Sequence, residues 1–309
     1  MKKDWNKNTL RKALKDYQLY LMFVPGLIVL AVFAYYPMYG LILSFKSYSP
    51  VRGITGSEWV DFDNFRYAVL SYGFLNLARN TLILGLLKIV FAFPSSIILA
   101  LLINELRAGV FKKTVQTISY LPYFISWVIV ASIAYLFLST DYGFINKLMV
   151  SLNMRPVQWY TGPQYWRAIL TVTTIWKNTG WGTIIFLAGL TSISPDLYEA
   201  ARCDGANRWR QTLHVSIPGI MPVIAMSFIL SVSGIVKDDF EQVYALVGMN
   251  SELWKTADVI GSWMYRGLRG PFKAWGEVTA VGFVQGIVSF VLMVGANAAV
   301  KRSGNKGLW

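Results

Sequence analysis

The chain has 309 residues, 55% of them hydrophobic and 15% charged, with a formal net charge of +13. Soluble domains average about 45–50% apolar and about 25% charged, so this composition excludes a pair of water-exposed globules and reads as a membrane protein. The single cysteine, Cys203, excludes an internal disulfide framework and any paired-cysteine metal or redox motif.

Six stretches are apolar over about 20 residues or more, the helical length that crosses a bilayer core: 19–45, 75–103, 115–138, 169–190, 219–236 and 278–300. They predict an all-α, polytopic, six-helix membrane domain over 19–300, with a basic segment at 1–18 before it and a short tail at 301–309 after it. The first stretch continues through Pro25 and Pro37 and is much longer than the core of a signal peptide, so it reads as a retained helix. Pro94 and Pro122 fall in the next two spans. Neighbours in a membrane bundle can re-satisfy the carbonyls that proline frees, so these positions predict kinks.

Three substantial loops lie on one side, near 46–74, 139–168 and 237–277. In the first, Trp59, Phe62 and Phe65 are spaced three apart, the pattern either of a short amphipathic helix on the membrane face or of interfacial aromatic packing. The other side holds the N-terminal segment, loops near 105–114 and 191–218, and the C-terminus. It carries 15 basic and six acidic residues against 11 and ten opposite, with Arg79, Lys88 and Lys177 inside spans. The positive-inside rule therefore places both termini in the cytoplasm. The +13 is mainly an orientation signal and implies no nucleic-acid partner.

The loop between the fourth and fifth spans carries the most information. Ser194 followed by Pro195 and Asp196 is a helix start, with an N-cap, a proline at the first position and an acid near the positive end of the dipole. Gly205 predicts the stop about ten residues later. A second short helix is predicted over 206–214, where Trp209 and Leu213 share a face. Two short helices joined at a glycine form a knob suited to a partner's cleft.

The spaced pattern Glu199-Ala200-Ala201, Gly205, then Val215-Ser216-Ile217-Pro218 resembles the EAA motif of permease subunits in bacterial ATP-binding-cassette importers. Valine and isoleucine replace the usual isoleucine and leucine of its ending. Gly189 to Pro195 and Asp204-Gly205-Ala206 look like the carbohydrate branch. So do Pro25-Gly26, Tyr36-Pro37, Phe62-Asp63-Asn64-Phe65, Asn80-Thr81 and Leu121-Pro122, and the C-terminal stretch 280–302 is similar to permeases for oligosaccharides.

That resemblance implies a type I ABC importer permease fold in the bacterial cytoplasmic membrane. It implies a second permease, two ATPase subunits that bind ATP and Mg, an extracytoplasmic binding protein or lipoprotein, and an oligosaccharide substrate. Glu199, Ala200, Ala201, Asp204, Gly205 and Pro218 then form the ATPase-coupling loop. No cofactor is expected in this chain, which has no GxxxxGK[ST] loop, and it is expected to be no enzyme.

The substrate path is read from intramembrane polar groups, which are costly and generally face a bundle interior or wet cavity. Trp176, Lys177, Asn178 and Trp181 combine aromatic faces for sugar C–H groups with hydrogen-bonding groups. Asp238 and Asp239 at the outer end of the fifth span are further candidates, and Lys88 carries no assigned role. His214, the one histidine, excludes a histidine metal cluster. The rival readings are a secondary transporter, for which no inverted repeat is evident, and a membrane enzyme, for which HExxH and GxSxG are absent.

Overall fold

The computed structural model describes residues 17–71, 73–270, 274–305 and 307–309. The basic N-terminal residues before 17 therefore lie outside it. The chain divides into two compact units, one of residues 1–68 and 274–283, the other of 69–273 and 284–309.

In the first unit, α1 (Tyr17–Phe45) is exposed throughout its most apolar window. It runs into an antiparallel pair, β1 (Lys46–Ser47) with β2 (Glu58–Trp59), in the register Lys46 to Trp59. The helix α2 (Asp63–Leu70) follows. The stretch around Trp59 is therefore not one amphipathic helix: Trp59 is in a strand and helix begins only at Asp63. Phe62 and Phe65 pack on Phe45 at ring separations of 5.7 and 5.3 Å. Between them, buried Asn64 donates to the carbonyls of Ser44 and Lys46 at 2.9 and 3.0 Å, satisfying carbonyls that the end of α1 leaves unpaired.

The second unit is built from α3 (Phe74–Glu105), α4 (Val110–Phe124), α5 (Trp127–Leu138), α6 (Phe144–Ser151), α7 (Trp166–Thr191), α8 (Pro195–Cys203), α9 (Arg208–Ser233), α10 (Phe240–Leu246) and α11 (Ile260–Arg269). It also holds most of α12 (Trp275–Arg302). Among the described residues, α1, α3, α9 and α12 are long and apolar enough to cross a membrane, and α4 with α5 passes that test as a bent pair. The 26 residues of α7 reach about 39 Å, ample for a crossing, with Arg167 and Lys177 lowering its hydropathy. Ala100 and Ile103 of α3 pack on Phe186, Leu187 and Leu190 of α7. Ala225 and Ile229 of α9 pack on Ala296 and Val300 of α12.

Two expectations are corrected. The third span is not continuous over 115–138, because α4 and α5 meet at 99°. Pro122 tightens Leu121–Phe124 into a 3₁₀ turn, Ile125 is extended, and Ser126 restarts the helix as an N-cap, accepting from Ile129 N. The predicted loop helix over 206–214 is not separate either, since Arg208–Ser233 is one helix.

The expected proline kinks take a specific form. Pro37, Pro94 and Pro218 each sit two residues after a π-turn, at Ala31–Tyr35, Lys88–Ala92 and Thr212–Ser216. Proline cannot donate to the carbonyl four residues back and its ring clashes with that group. In each case that carbonyl belongs to the π-turn, whose wider ring accommodates it.

Candidate functional site

The second unit contains a polar and aromatic cleft of about 470 Å³ walled by α3, α7, α9 and the turn at the end of α4. Thr174, Asn178, Trp181 and Ile185 line it from one stripe of α7, while Ser227 and Ser231 line it one turn apart on α9. Trp181 stacks on Tyr123 at 4.5 Å and nearly parallel, with Phe124 edge-on at 5.8 Å. Tyr123, Asn178 and Asp239 also border a neighbouring space of about 440 Å³, closed by residues 124–127, Lys177 and Glu241.

The break between α4 and α5 makes this cleft, and Lys177 holds the break. Its ammonium donates to the carbonyls of Tyr123 at 2.7 Å, Pro122 at 3.3 Å and Ile125, and lies over the rings of Tyr123 and Trp127. Those acceptors belong to the turn where helical bonding is interrupted. Gly180, one turn on, lets α7 close on α4, because a Cβ there would overlap the Ser119 carbonyl.

The far wall is set by similar devices. Gln242 of α10 is buried and donates to Leu170 O at 2.7 Å and Thr173 Oγ1 at 2.9 Å, while accepting from Thr174. Gly85 of α3 admits the Ile235 carbonyl where a Cβ would overlap it. The segment 234–239 is thereby pressed against α3, and Lys88, one turn beyond Gly85, pairs with Asp239 at 2.7 Å. Asp238 accepts from Gly261 N at 2.7 Å.

At the other end of α7 stands the knob formed by α8 and the start of α9. Ser194 accepts from Asp196 N. Gly205 has φ +77, and the bonds Ala206 N to Ala201 O at 2.8 Å and Gly205 N to Arg202 O at 3.0 Å form a Schellman stop. Asn207 caps α9 by accepting from Arg210 N, and Tyr198 bonds Ser216 across the hairpin at 2.9 Å. Arg208 pairs with Glu105 at the end of α3. Glu199, Ala200, Asp204, Gly205 and Pro218 are exposed and Ala201 is half-buried. Glu199 has no hydrogen-bond or ion-pair partner among the described residues, and Leu197, Trp209 and Leu213 expose apolar surface beside it.

The six EAA-like positions thus belong to one projecting feature. Asn178, Trp181 and Asp239 line the cleft together, but Trp176, two positions before Asn178 and so on the opposite face of α7, is not among the residues that line it. Asp238 borders only a small space behind Asp239. Lys177 is committed to carbonyls. Nothing in the sequence distinguishes Tyr123, Gln242, Ser227 and Ser231, and for Lys88 the signal is simply a charge inside a span. Asn80-Thr81 acquires a reason: buried Asn80 donates to Asp258 O at 3.1 Å and accepts from Arg167, and Thr81 accepts from Ile260 N.

The family model described as binding-protein-dependent transport system inner membrane component matches residues 92–256. Protein LplB of Bacillus subtilis (strain 168) is 40% identical, over 96% of this chain and 92% of its own length. The polygalacturonan/rhamnogalacturonan transport system permease protein YteP of the same organism is 39% identical, over 100% of this chain and 95% of its own. A chain in the crystal structure of a bacterial alginate ABC transporter, in complex with an alginate pentasaccharide-bound periplasmic protein, superposes with a TM-score of 0.86. It is 36% identical, and the match covers 96% of this chain and 99% of that one.

Proposed function

We propose that this chain, which belongs to the binding-protein-dependent transport system inner membrane components, is a permease subunit of an ATP-driven importer that carries an acidic oligosaccharide. The observation that carries the reading is the cleft, where a stacked Trp181–Tyr123 pair adjoins Asn178, Ser227 and Ser231 between helices long enough to cross a membrane. Flat rings suit the C–H faces of sugars, and amide and hydroxyl groups suit their hydroxyls. Two relatives that cover nearly the whole chain are named for transport of polygalacturonan/rhamnogalacturonan and of alginate, an acidic polysaccharide, which supports an acidic substrate.

In this reading the chain pairs with a second permease and each knob docks into one ATPase subunit, where ATP and Mg are held. An exposed, unpartnered Glu199 is available to a basic or backbone donor there. The knob and both termini face the cytoplasm, and the receptor delivers its ligand to the opposite face. The test is uptake into proteoliposomes containing both permeases and the ATPases, with loaded receptor outside. Uptake requires enclosed ATP and survives collapse of ion gradients; gradient-driven uptake without ATP refutes the proposal.

A further inference from the structure

We propose that Asp239 is an exchangeable counter-ion for Lys88, displaced by the carboxylate of an acidic sugar as it crosses, so that Lys88 selects for anionic substrate. The inference rests on the acidic-oligosaccharide reading. Lys88 lies 14 residues after Phe74 in the 32-residue α3, about 21 Å along a helix of about 48 Å, and so well inside the span. A lone charge at that depth is strongly disfavoured, and pairing offsets the cost.

The pairing is unlike that of the other charges nearby. Arg266 and Asp258 form a two-bond pair with side chains only 19% and 6% exposed, and Arg266 lies over Trp254. Lys177 is enclosed by three carbonyls. Lys88 has one hydrogen-bond partner among the described residues, with Asp238 as a second carboxylate on the small space behind it, and the pair's side chains are 27% and 41% exposed where both border the cleft. An ammonium has three donors, so two remain for incoming oxygens.

Each partner can also yield. Lys88 opens the π-turn Lys88–Ala92, where α-helical bonding is already relaxed. Asp239 lies between the end of α9 and the start of α10, and its side chain makes no capping bond. Asp239 also borders the 440 Å³ space beside the cleft, where Lys177, Asn178 and Ser126 offer polar surface to the displaced carboxylate. The exchange conserves charge on the lysine: one carboxylate replaces another.

The test uses the complete transporter in proteoliposomes with receptor and trigalacturonic acid, comparing Lys88→Met/Asp239→Asn, Asp239→Asn and Lys88→Arg. The double variant removes both charges of the pair together, and Asp238 keeps its bond from Gly261 N, so assembly with the ATPase and basal ATP hydrolysis are retained while trigalacturonate uptake falls at least tenfold. Lys88→Arg stays within about threefold of wild type, and Asp239→Asn lowers the half-saturating concentration, which a merely structural pair would not do. The exchange is overturned if the double variant transports at the wild-type rate, if it fails to assemble, or if Asp239→Asn raises the half-saturating concentration. A wild-type complex that takes up no trigalacturonate overturns the acidic reading itself, and the exchange with it.

Discussion

Gly205→Ala is the sharpest test of the knob because its cost is conformational and separable from contact. The residue sits at φ +77, and a Cβ there would meet nothing within 4 Å. An L-residue in this left-handed conformation costs roughly 1–2 kcal/mol. The two bonds that close the turn, Ala206 N to Ala201 O and Gly205 N to Arg202 O, require that conformation, so the whole cost falls on the docking-competent hairpin. A penalty of 1–2 kcal/mol corresponds to roughly 5- to 30-fold weaker docking. Asparagine visits the left-handed region more readily, so Gly205→Asn loses less than about 5-fold. Titrating purified ATPase onto the permease pair in nanodiscs gives the half-saturating concentration for each variant. Wild-type affinity in the alanine variant, or equal loss for alanine and asparagine, refutes the argument from φ and makes direct contact the deciding factor.

Lys177→Met removes a donor from three carbonyls. At about 0.6–1.7 kcal/mol per intramembrane bond, the loss is about 2–5 kcal/mol before release of the buried charge offsets part of it. In a Cys203→Ser background, thiol labelling of Val130→Cys, a buried position in the first turn of α5, then rises as the break loosens; unchanged labelling with lost transport would instead tie Lys177 to substrate. Trp181→Ala removes the ring stacked on Tyr123 and is expected to raise the half-saturating oligosaccharide concentration about tenfold, leaving ATPase docking at the wild-type value. His214→Gly with Val215→Gly softens the π-turn of α9 by about 1 kcal/mol of helix propensity. Receptor-stimulated ATP hydrolysis is expected to persist while sugar moved per ATP falls, and an unchanged ratio would show that α9 transmits no displacement.

The sequence shows most clearly what depends on neighbours along the chain. Ser194, Pro195 and Gly205 define α8 because capping and left-handed stops are local events, and the residues between them form one surface feature. The spans are legible because a bilayer selects for apolar length. The 99° break is less so: Pro122 marks the place, but nothing local says that Lys177, more than fifty residues later, will bond the freed carbonyls. Lys88 shows the same limit. Its charge is visible inside a span, yet its partner is 151 residues away and reaches it because Gly85 admits the backbone of Ile235. Trp176 and Trp181 look equivalent in sequence, and only the rotation of α7 separates the ring outside the cleft from the one within it.

The continuity of α9 connects the two ends of the site. Because Arg208–Ser233 is a single helix, the residues that begin the knob's second arm are those whose axis leads, about 35 Å on, to Ser231 in the cleft wall. The helix entering the knob, α7, carries the opposite wall, and α3, the third, is tied to the knob by Arg208 and Glu105. The Tyr198–Ser216 bond clamps the two arms beside the π-turn. A displacement imposed on the knob therefore reaches all three cleft walls, along α9 by way of its π-turn. Asp239 follows the last residue of α9 by six positions, whereas Lys88 belongs to α3. Axial movement of α9 relative to α3 accordingly stretches the Lys88–Asp239 pair, and on the proposed exchange it would free the cation for substrate as the pathway opens.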